Sequence, residues 1–444
     1  DAKYIKKVDS EMMKSLKQVI KWISICIVPI GLLLFWKQMS LDDSLSLSII
    51  HTVASLIGMI PEGLILLTST VLAVSVLRLS KENVLVQELY CIETLAYVDT
   101  LCLDKTGTIT EGCMEVVKVI SDHSSIEQEM SRFLTALKDD NATYQALRTY
   151  FKKEGRVNVV AVYPFSSSRK WSGVTFKDSG SYVLGAPEII LKGQKIAGLA
   201  EYSKDHRVLA LAKSEDRFVG KSLPRNLQLV ALILLRDKIR DTAPETIAYF
   251  KKQGTDIKLI SGDNVSTVSG IAKRVGITGR AIDATTLKTS EDLLNACEKY
   301  TIFGRVTPNQ KKELVLALKK KGHKVAMTGD GVNDVLALKE ADSSIAMASG
   351  SDAARSVSQL VLLDSNFDAM PKVLAEGRRT INNIERSATL FLVKTIYSSI
   401  LSVLFIFLPF SYPFMPIQMS LTSMFTISRT RRWRNHTCFL GRNN

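Results

Sequence analysis

Hydrophobic and polar positions follow two different rhythms along this chain. Near its two ends the apolar runs are long: WISICIVPIGLLLFW (22–36), closed by Lys21 and Lys37; a stretch from Leu45 to Leu79 interrupted by IPEGL (60–64); and ATLFLVKTIYSSILSVLFIFLPF (388–410). Each predicts helix long enough to cross a hydrocarbon core of about 30 Å. A fourth run, PIQMSLTSMFTI, is too short alone. Between roughly 80 and 370 the runs shorten to four or five residues that end in Asp, Gly or Ser: VDTLCLD, LVALILLRD, DIKLISGD, HKVAMTGDG and SSIAMA. Such runs predict buried parallel strands with polar groups at their carboxyl ends, the edge at which open α/β sheets bind ligands. Asp104, Asp237, Asp263 and Asp330 are then expected to converge on one crevice. Between Gly112 and about Leu235 lies an insert of another style, richer in Ser, Lys and aromatic residues.

Composition agrees with a membrane component. The chain has 444 residues, room for two or three domains, and 46% of them are hydrophobic. Its formal net charge of +14 raises the question of nucleic acid, but Lys and Arg are scattered or flank the apolar runs, with no basic stripe among aromatics, so no nucleic-acid partner is expected. The flanking basic residues give an orientation instead. Lys3, Lys6, Lys7, Lys14 and Lys17 precede the first span, Arg78 and Lys81 follow the second, and Arg378, Arg379 and Arg386 precede the third. By the positive-inside rule all three clusters face the cytoplasm, which makes residues 80–370 one cytoplasmic block of a multi-pass plasma-membrane protein. Cys26, Cys91, Cys102, Cys113, Cys297 and Cys438 include no CxxC pair and no histidine at metal spacing, so neither a zinc site nor a disulfide framework is expected. The mixed, charged first residues do not read as a cleaved signal peptide.

A carboxylate on a tight glycine-containing turn at a strand end can act as a nucleophile, and aspartate is a known phosphoryl acceptor. Asp104, in LCLDKTGTIT, has that placement. The motifs DKTGTIT, TGDGVNDVLALKEAD (328–342), SGDN (261–264), RVTPNQK (305–311), GAPE (185–188) and IPEGL, taken in order, resemble the P-type cation-transporting ATPases, in the style of the bacterial calcium-pump-like members. The resemblance covers about residues 1–427. It implies a multidomain membrane protein in which α-helical transmembrane segments join an α/β haloacid-dehalogenase-like, Rossmann-type phosphorylation domain carrying an inserted α+β nucleotide-binding domain. The implied divisions are 1–82 (actuator linker and membrane hairpin), 83–112 and 236–368 (phosphorylation domain), 113–235 (nucleotide domain), 369–428 (membrane hairpin) and 429–444 (basic tail).

The resemblance implies ATP as substrate, Mg²⁺ as cofactor and an aspartyl-phosphate on Asp104. Asp104, the Thr106 carbonyl and Asp330 would hold Mg²⁺, Lys311 would neutralise the phosphoryl group with Ser261 and Gly262 donating hydrogen bonds, and Asp334 and Asn333 would finish the site. Asp263 belongs to the same SGDN motif. Phe165 would stack on adenine, Lys170, Gly185 and Arg207 would face the nucleotide, and Asp237 and Arg240 would orient it at the hinge. Leu184 stands where many of these pumps carry Lys before GAPE. Lys105 reads equally well as a phosphate ligand and as a structural ion-pair partner. Related phosphatases carry a second acid two residues after the nucleophile; Thr106 stands there and cannot transfer protons near neutral pH, which favours a persistent phosphoenzyme.

For the transported cation, Pro61 inside a span frees carbonyls of Ile57, Gly58 and Ile60, with Glu62 beside them and Thr426 from the last span. Elsewhere, where calcium pumps carry Asn, Glu and Asp, the chain offers Ser399, Ser402, Ser423 and Ile427, so calcium is a lead only. No obligatory protein partner is evident; ATP, the cation and the lipid bilayer are the expected partners. No Thr-Gly-Glu-Ser motif occurs, so the actuator domain and first two spans are expected to be absent, and FTISRTRRWRNHTCFLGRNN reads either as a frameshifted or misjoined terminus or as a genuine basic cytoplasmic tail, which the positive-inside rule also allows. The competing functions at this point are a partial cation pump, a membrane-bound phosphatase and a nonfunctional remnant of a pump gene.

Overall fold

A computed structural model describes residues 11–41, 44–61, 63–151, 157–166, 168–192, 196, 198–218, 220, 222–364 and 367–422. Its centre is an eight-stranded sheet in the order Val84–Val86, Leu360–Leu362, Ser343–Met347, Val325–Gly329, Thr100–Asp104, Asp256–Ile260, Ile302–Gly304, Ala281–Asp283. Neighbours pair in parallel except Val84–Val86, which closes one edge antiparallel to Leu360–Leu362. Thr100–Asp104 is buried along its whole length. Successive side chains enter opposite cores, as a two-residue strand period requires: Leu101 and Leu103 join one hydrophobic cluster, Cys102 the other. Both faces are covered, which is why this strand reads as an unbroken apolar run.

The run LVALILLRD does not join that sheet. It forms part of Gln228–Ile239 in a second, antiparallel sheet of six strands: Thr110–Ile120, Gln228–Ile239, Arg207–Ser214, Gly180–Gly185, Trp171–Phe176 and Val159–Ser166. The expectation of a parallel strand ending at Asp237 is therefore corrected. The cause is burial on both faces. Val230, Ile233 and Leu235 pack in one cluster with Phe133 and Leu147, while Leu232 and Leu234 pack in another with Trp171 and Ile190, so no polar alternation marks the strand as antiparallel. Thr110–Ile120 and Gln228–Ile239 run alongside each other from Thr110↔Ile239 to Ile120↔Leu232 and carry the chain out of the parallel-sheet domain and back.

The apolar stretches form Glu11–Leu41, with Pro29 inside it, Leu45–Met59, Leu64–Lys81 and Ala369–Phe407. Among the described residues, three segments are long and apolar enough to cross a membrane: Met12–Leu41, Leu45–Lys81 and Ala369–Phe407. Trp22, Leu32, Trp36, Leu66 and Phe407 are left on their outer surface, where only lipid suits them. Between the helices the contacts are small and polar. Ser55 Oγ meets Ser402 Oγ at 2.5 Å, Ser75 Oγ meets Thr380 Oγ1 at 2.5 Å, and a side chain at Gly58 would lie 3.0 Å from Ser398 Oγ. Ala369–Phe407 has 39 residues, about 58 Å of helix, and its first turns belong to the core of the parallel-sheet domain through Met370, Val373 and Leu374.

Candidate active site at the end of the central strand

Thr100–Asp104 ends in a turn that only glycine permits. Gly107 has φ +68, and a Cβ there would collide with the Asp330 carboxylate. Asp104 Oδ2 accepts from Thr106 N at 3.2 Å, which fixes the carboxylate against its own turn. Arg240 holds the turn from the other side: its guanidinium donates to Thr108 O at 3.0 Å and Gly107 O at 2.9 Å. The strand neighbours deliver the other acids. Asp330 follows Val325–Gly329, and Asp334 lies one short turn later with Oδ2 accepting from Gly331 N at 3.1 Å. Glycine is needed at 329 as well, since a Cβ would sit 2.5 Å from that of Asp334.

Lys311 meets these acids from Pro308–Lys320, a helix started by a Thr307–Gln310 capping box with Pro308 in its first turn. Its Nζ lies 2.6 Å from Asp104 Oδ1 and 2.6 Å from Asp334 Oδ1, and all three side chains are nearly fully buried. One carboxylate oxygen from each of Asp104, Asp330 and Asp334 lies within 4.8 Å of the others. Three acids thus share one lysine. Burial, with Asp334 nearby and against the pull of Lys311, pushes the Asp104 carboxyl up to about 7. Asp330 is pushed up by burial and then by Asp334. For Lys311, burial works to lower the value, but Asp104 and Asp334 outweigh it and the net shift is upward. Buried Thr108 and Thr328 also keep hydroxyls that no described residue satisfies. Excess negative charge on hard oxygen donors, with unspent hydroxyls beside them, fits a divalent cation such as Mg²⁺.

Lys105 resolves into an ion-pair hub, 2.6 Å from Asp237 Oδ2 and 2.6 Å from Asp263 Oδ2. It brings both acids to the crevice although Asp237 arrives on the antiparallel sheet. Ser261 is committed to the loop: its N donates to Phe303 O and its Oγ accepts from Asp263 N. Gly262 and Asn333 are exposed at the crevice rim, as is Thr106. The clamp made by Arg240 and the hub made by Lys105 were not legible in spacing, because each depends on how the two sheets dock.

The second cluster of expected residues lines a cavity of about 290 Å³ in the six-stranded domain, where Phe165, Gly185 and Arg207 meet Leu184, Met114 and Asp139. Phe165 is 40% exposed over it, and its N donates to Asp139 Oδ2 at 3.1 Å. Asp139 had no signal in the sequence beyond a polar loop. Lys170 is exposed, has φ +58, and meets the Gly185 turn through its carbonyl, which accepts from Ala186 N at 3.2 Å. In the membrane, the helix Leu45–Met59 stops as expected before Pro61; Ile60 is extended and donates to Ile57 O at 3.3 Å, and Gly58 is buried against Ser398 and Met419. Glu62, Ser423, Thr426 and Ile427 lie outside the described residues.

Residues 98–342 match the haloacid dehalogenase-like hydrolase family. The chain is 43% identical to a calcium-transporting ATPase of Mycobacterium bovis over 440 residues, 95% of this chain and 55% of the relative. It is 40% identical to a probable cation-transporting ATPase of Streptococcus pneumoniae over 443 residues, 96% of this chain and 57% of the relative. A solved zinc-transporting PIB-type ATPase in an E2.Pi state matches the fold with TM-score 0.72 at 19% identity, over 92% of this chain and 61% of that one. The chain spans a little over half the length of the curated relatives it matches.

The raised Asp104 carboxyl has a consequence for stability. A folded-state value of about 7 against an ordinary 3.8 means that the folded protein holds a proton the unfolded chain has released, so this contribution declines as pH rises from about 4 to 7. Asp104→Asn removes the decline. In thermal unfolding the variant is expected to be more stable than the unmodified chain at pH 8, by on the order of 1–2 kcal/mol, with the gap closing toward pH 4. A gap independent of pH would contradict the assignment.

Proposed function

The chain belongs to the haloacid dehalogenase-like hydrolases, and from that premise we propose that it is the catalytic and part of the membrane portion of an ATP-driven cation pump. The observation that carries this reading is Lys311, shared at 2.6 Å by Asp104 and Asp334 on the carboxyl edge of the parallel sheet. An Asp104 oxygen attacks the γ-phosphorus of ATP, the bond to the β,γ-bridging oxygen breaks, and ADP leaves with that electron pair. Lys311 offsets charge on the transferred group, while Ser261, Gly262 and Asn333 border it. Asp104, Asp330 and the Thr106 carbonyl would hold Mg²⁺, whose charge supports transfer between anionic groups. Arg240 keeps the turn from yielding, and Lys105 fixes Asp237 and Asp263 beside it.

Adenine is assigned to the cavity under Phe165, with Arg207 at its wall; Leu184 makes that wall apolar, and Lys170, beside the Gly185 turn, is the residue proposed to meet the phosphates. The carbonyls of Ile57, Gly58 and Ile60, with Glu62 and Thr426, are the proposed ligands of a metal cation. Calcium is the first to try, in keeping with the names of the relatives. The catalytic block is assigned to the cytoplasmic side of the plasma membrane. Thr106, in place of a second acid, disfavours the phosphatase reading.

Two measurements check this. With γ-labelled ATP and Mg²⁺ the purified chain should take up acid-stable, hydroxylamine-sensitive label that is lost in Asp104→Asn and outlives a chase with unlabelled ATP; steady release of inorganic phosphate would revive the phosphatase. Phe165→Ala should weaken ATP binding by about 1–3 kcal/mol in a nucleotide titration, the cost of removing an aromatic from a base. Equal affinities would reject the adenine assignment.

A further inference from the structure

A methionine in the wall of the cavity under Phe165 is bonded as a polar residue. Met114 lies on Thr110–Ile120, opposite Asp237 on the strand pair that joins the two sheets, and its side chain lines the cavity. Its Sδ accepts from two donors, Thr143 Oγ1 at 3.7 Å and Arg207 Nη1 at 3.9 Å. A thioether is a weak acceptor, so two donors on one sulphur are more than packing requires. The side chain also packs against the apolar cluster of Phe133 and Leu147. Arg207 has no carboxylate partner among the described residues, which leaves this sulphur to hold its guanidinium at the cavity wall.

The same sulphur is open to small solutes. Met114 is half-buried, and the cavity it borders, about 290 Å³, has room for them. The neighbouring thiol is the less reactive group. Cys113 Sγ donates to Glu111 Oε2 at 3.6 Å, and burial, then the Glu111 carboxylate, push the thiol up and away from the thiolate that oxidants attack. A thioether needs no deprotonation to take up oxygen.

We propose that Met114 is a reversible oxidation site through which peroxide controls nucleotide binding. A sulphur lone pair attacks one oxygen of hydrogen peroxide and the O–O bond breaks. The products are methionine sulfoxide and one water: sulphur loses two electrons and peroxide gains them. A strong acceptor then stands where a weak one was. The sulfoxide oxygen captures the Arg207 guanidinium and the Thr143 hydroxyl and adds a polar atom to the cavity, so Arg207 is withdrawn from the nucleotide and the base loses apolar wall. A methionine sulfoxide reductase reverses the step, two thiols giving up their hydrogens to form a disulfide and water. This rests on the reading of the cavity as the nucleotide site.

The test is an ATP titration of the full chain in lipid nanodiscs before and after hydrogen peroxide, with peptide mass spectrometry on the same samples. The unmodified chain is compared with Met114→Leu, which keeps the volume and removes the sulphur, and with Phe165→Ala. In the unmodified chain peroxide should add one oxygen at Met114 and weaken ATP binding about tenfold, the scale of one lost charge-assisted hydrogen bond. Treatment with the reductase should restore the affinity. Met114→Leu should bind ATP equally well before and after peroxide. An equal loss in Met114→Leu, sulfoxide at Met114 with unchanged affinity, or no oxygen at Met114 under peroxide that oxidises free methionine overturns the proposal, and the cavity reading survives if Phe165→Ala still weakens binding. ATP affinity untouched by Phe165→Ala overturns the cavity reading and the proposal with it.

Discussion

One ammonium among three buried carboxylates is the constraint on which the catalytic block depends. Lys311 sits 2.6 Å from Asp104 and from Asp334, and Asp330 is within reach of both. Removing Lys311 leaves carboxylate charge uncompensated where water cannot reach it, which costs several kcal/mol. The surrounding sequence follows from that crowding. Gly107 and Gly329 are glycines because a Cβ at either would occupy the space of an acid, and the Thr307–Gln310 box sets the first turn of the helix that carries the lysine. The arrangement is stable enough to exist and short of positive charge, which is the condition for taking up a divalent cation and an anionic phosphoryl group together.

The same fold ties this crevice to the membrane by rigid parts. Ala369–Phe407 begins in the core beneath the parallel sheet, passes Gly377 with room for only a hydrogen against Ile92 O, and continues to Ser398 and Ser402 beside the broken span. Arg78 and Glu376, 3.2 Å apart, join it to the end of Leu64–Lys81. The cation site proposed at the break and the nucleophile proposed at Asp104 are therefore joined through one long helix.

Much of this was legible in the chain itself, for reasons that can be named. Strand-end acids at Asp104, Asp263 and Asp330 follow from short apolar runs that stop at polar residues, and the spans follow from length alone. Asp237 was placed near the crevice but on the wrong kind of strand: Gln228–Ile239 is covered on both faces and so lacks the alternation of a half-exposed antiparallel strand. Lys105 had two equal readings because its partners, Asp237 and Asp263, come from different sheets, and sheet docking leaves no periodicity in sequence. Asp139 at the cavity under Phe165 had no pattern at all.

The central claim is covalent, so its most direct measurement is covalent as well. Borohydride reduces an acyl phosphate on aspartate to homoserine and leaves free carboxylates unchanged. The purified chain, incubated with ATP and Mg²⁺, quenched in acid, reduced and mapped by peptide mass spectrometry, is predicted to carry homoserine at position 104, and not at 330 or 334. Unmodified aspartate at 104 under conditions that consume ATP, or homoserine at another acid of the cluster, would contradict the account.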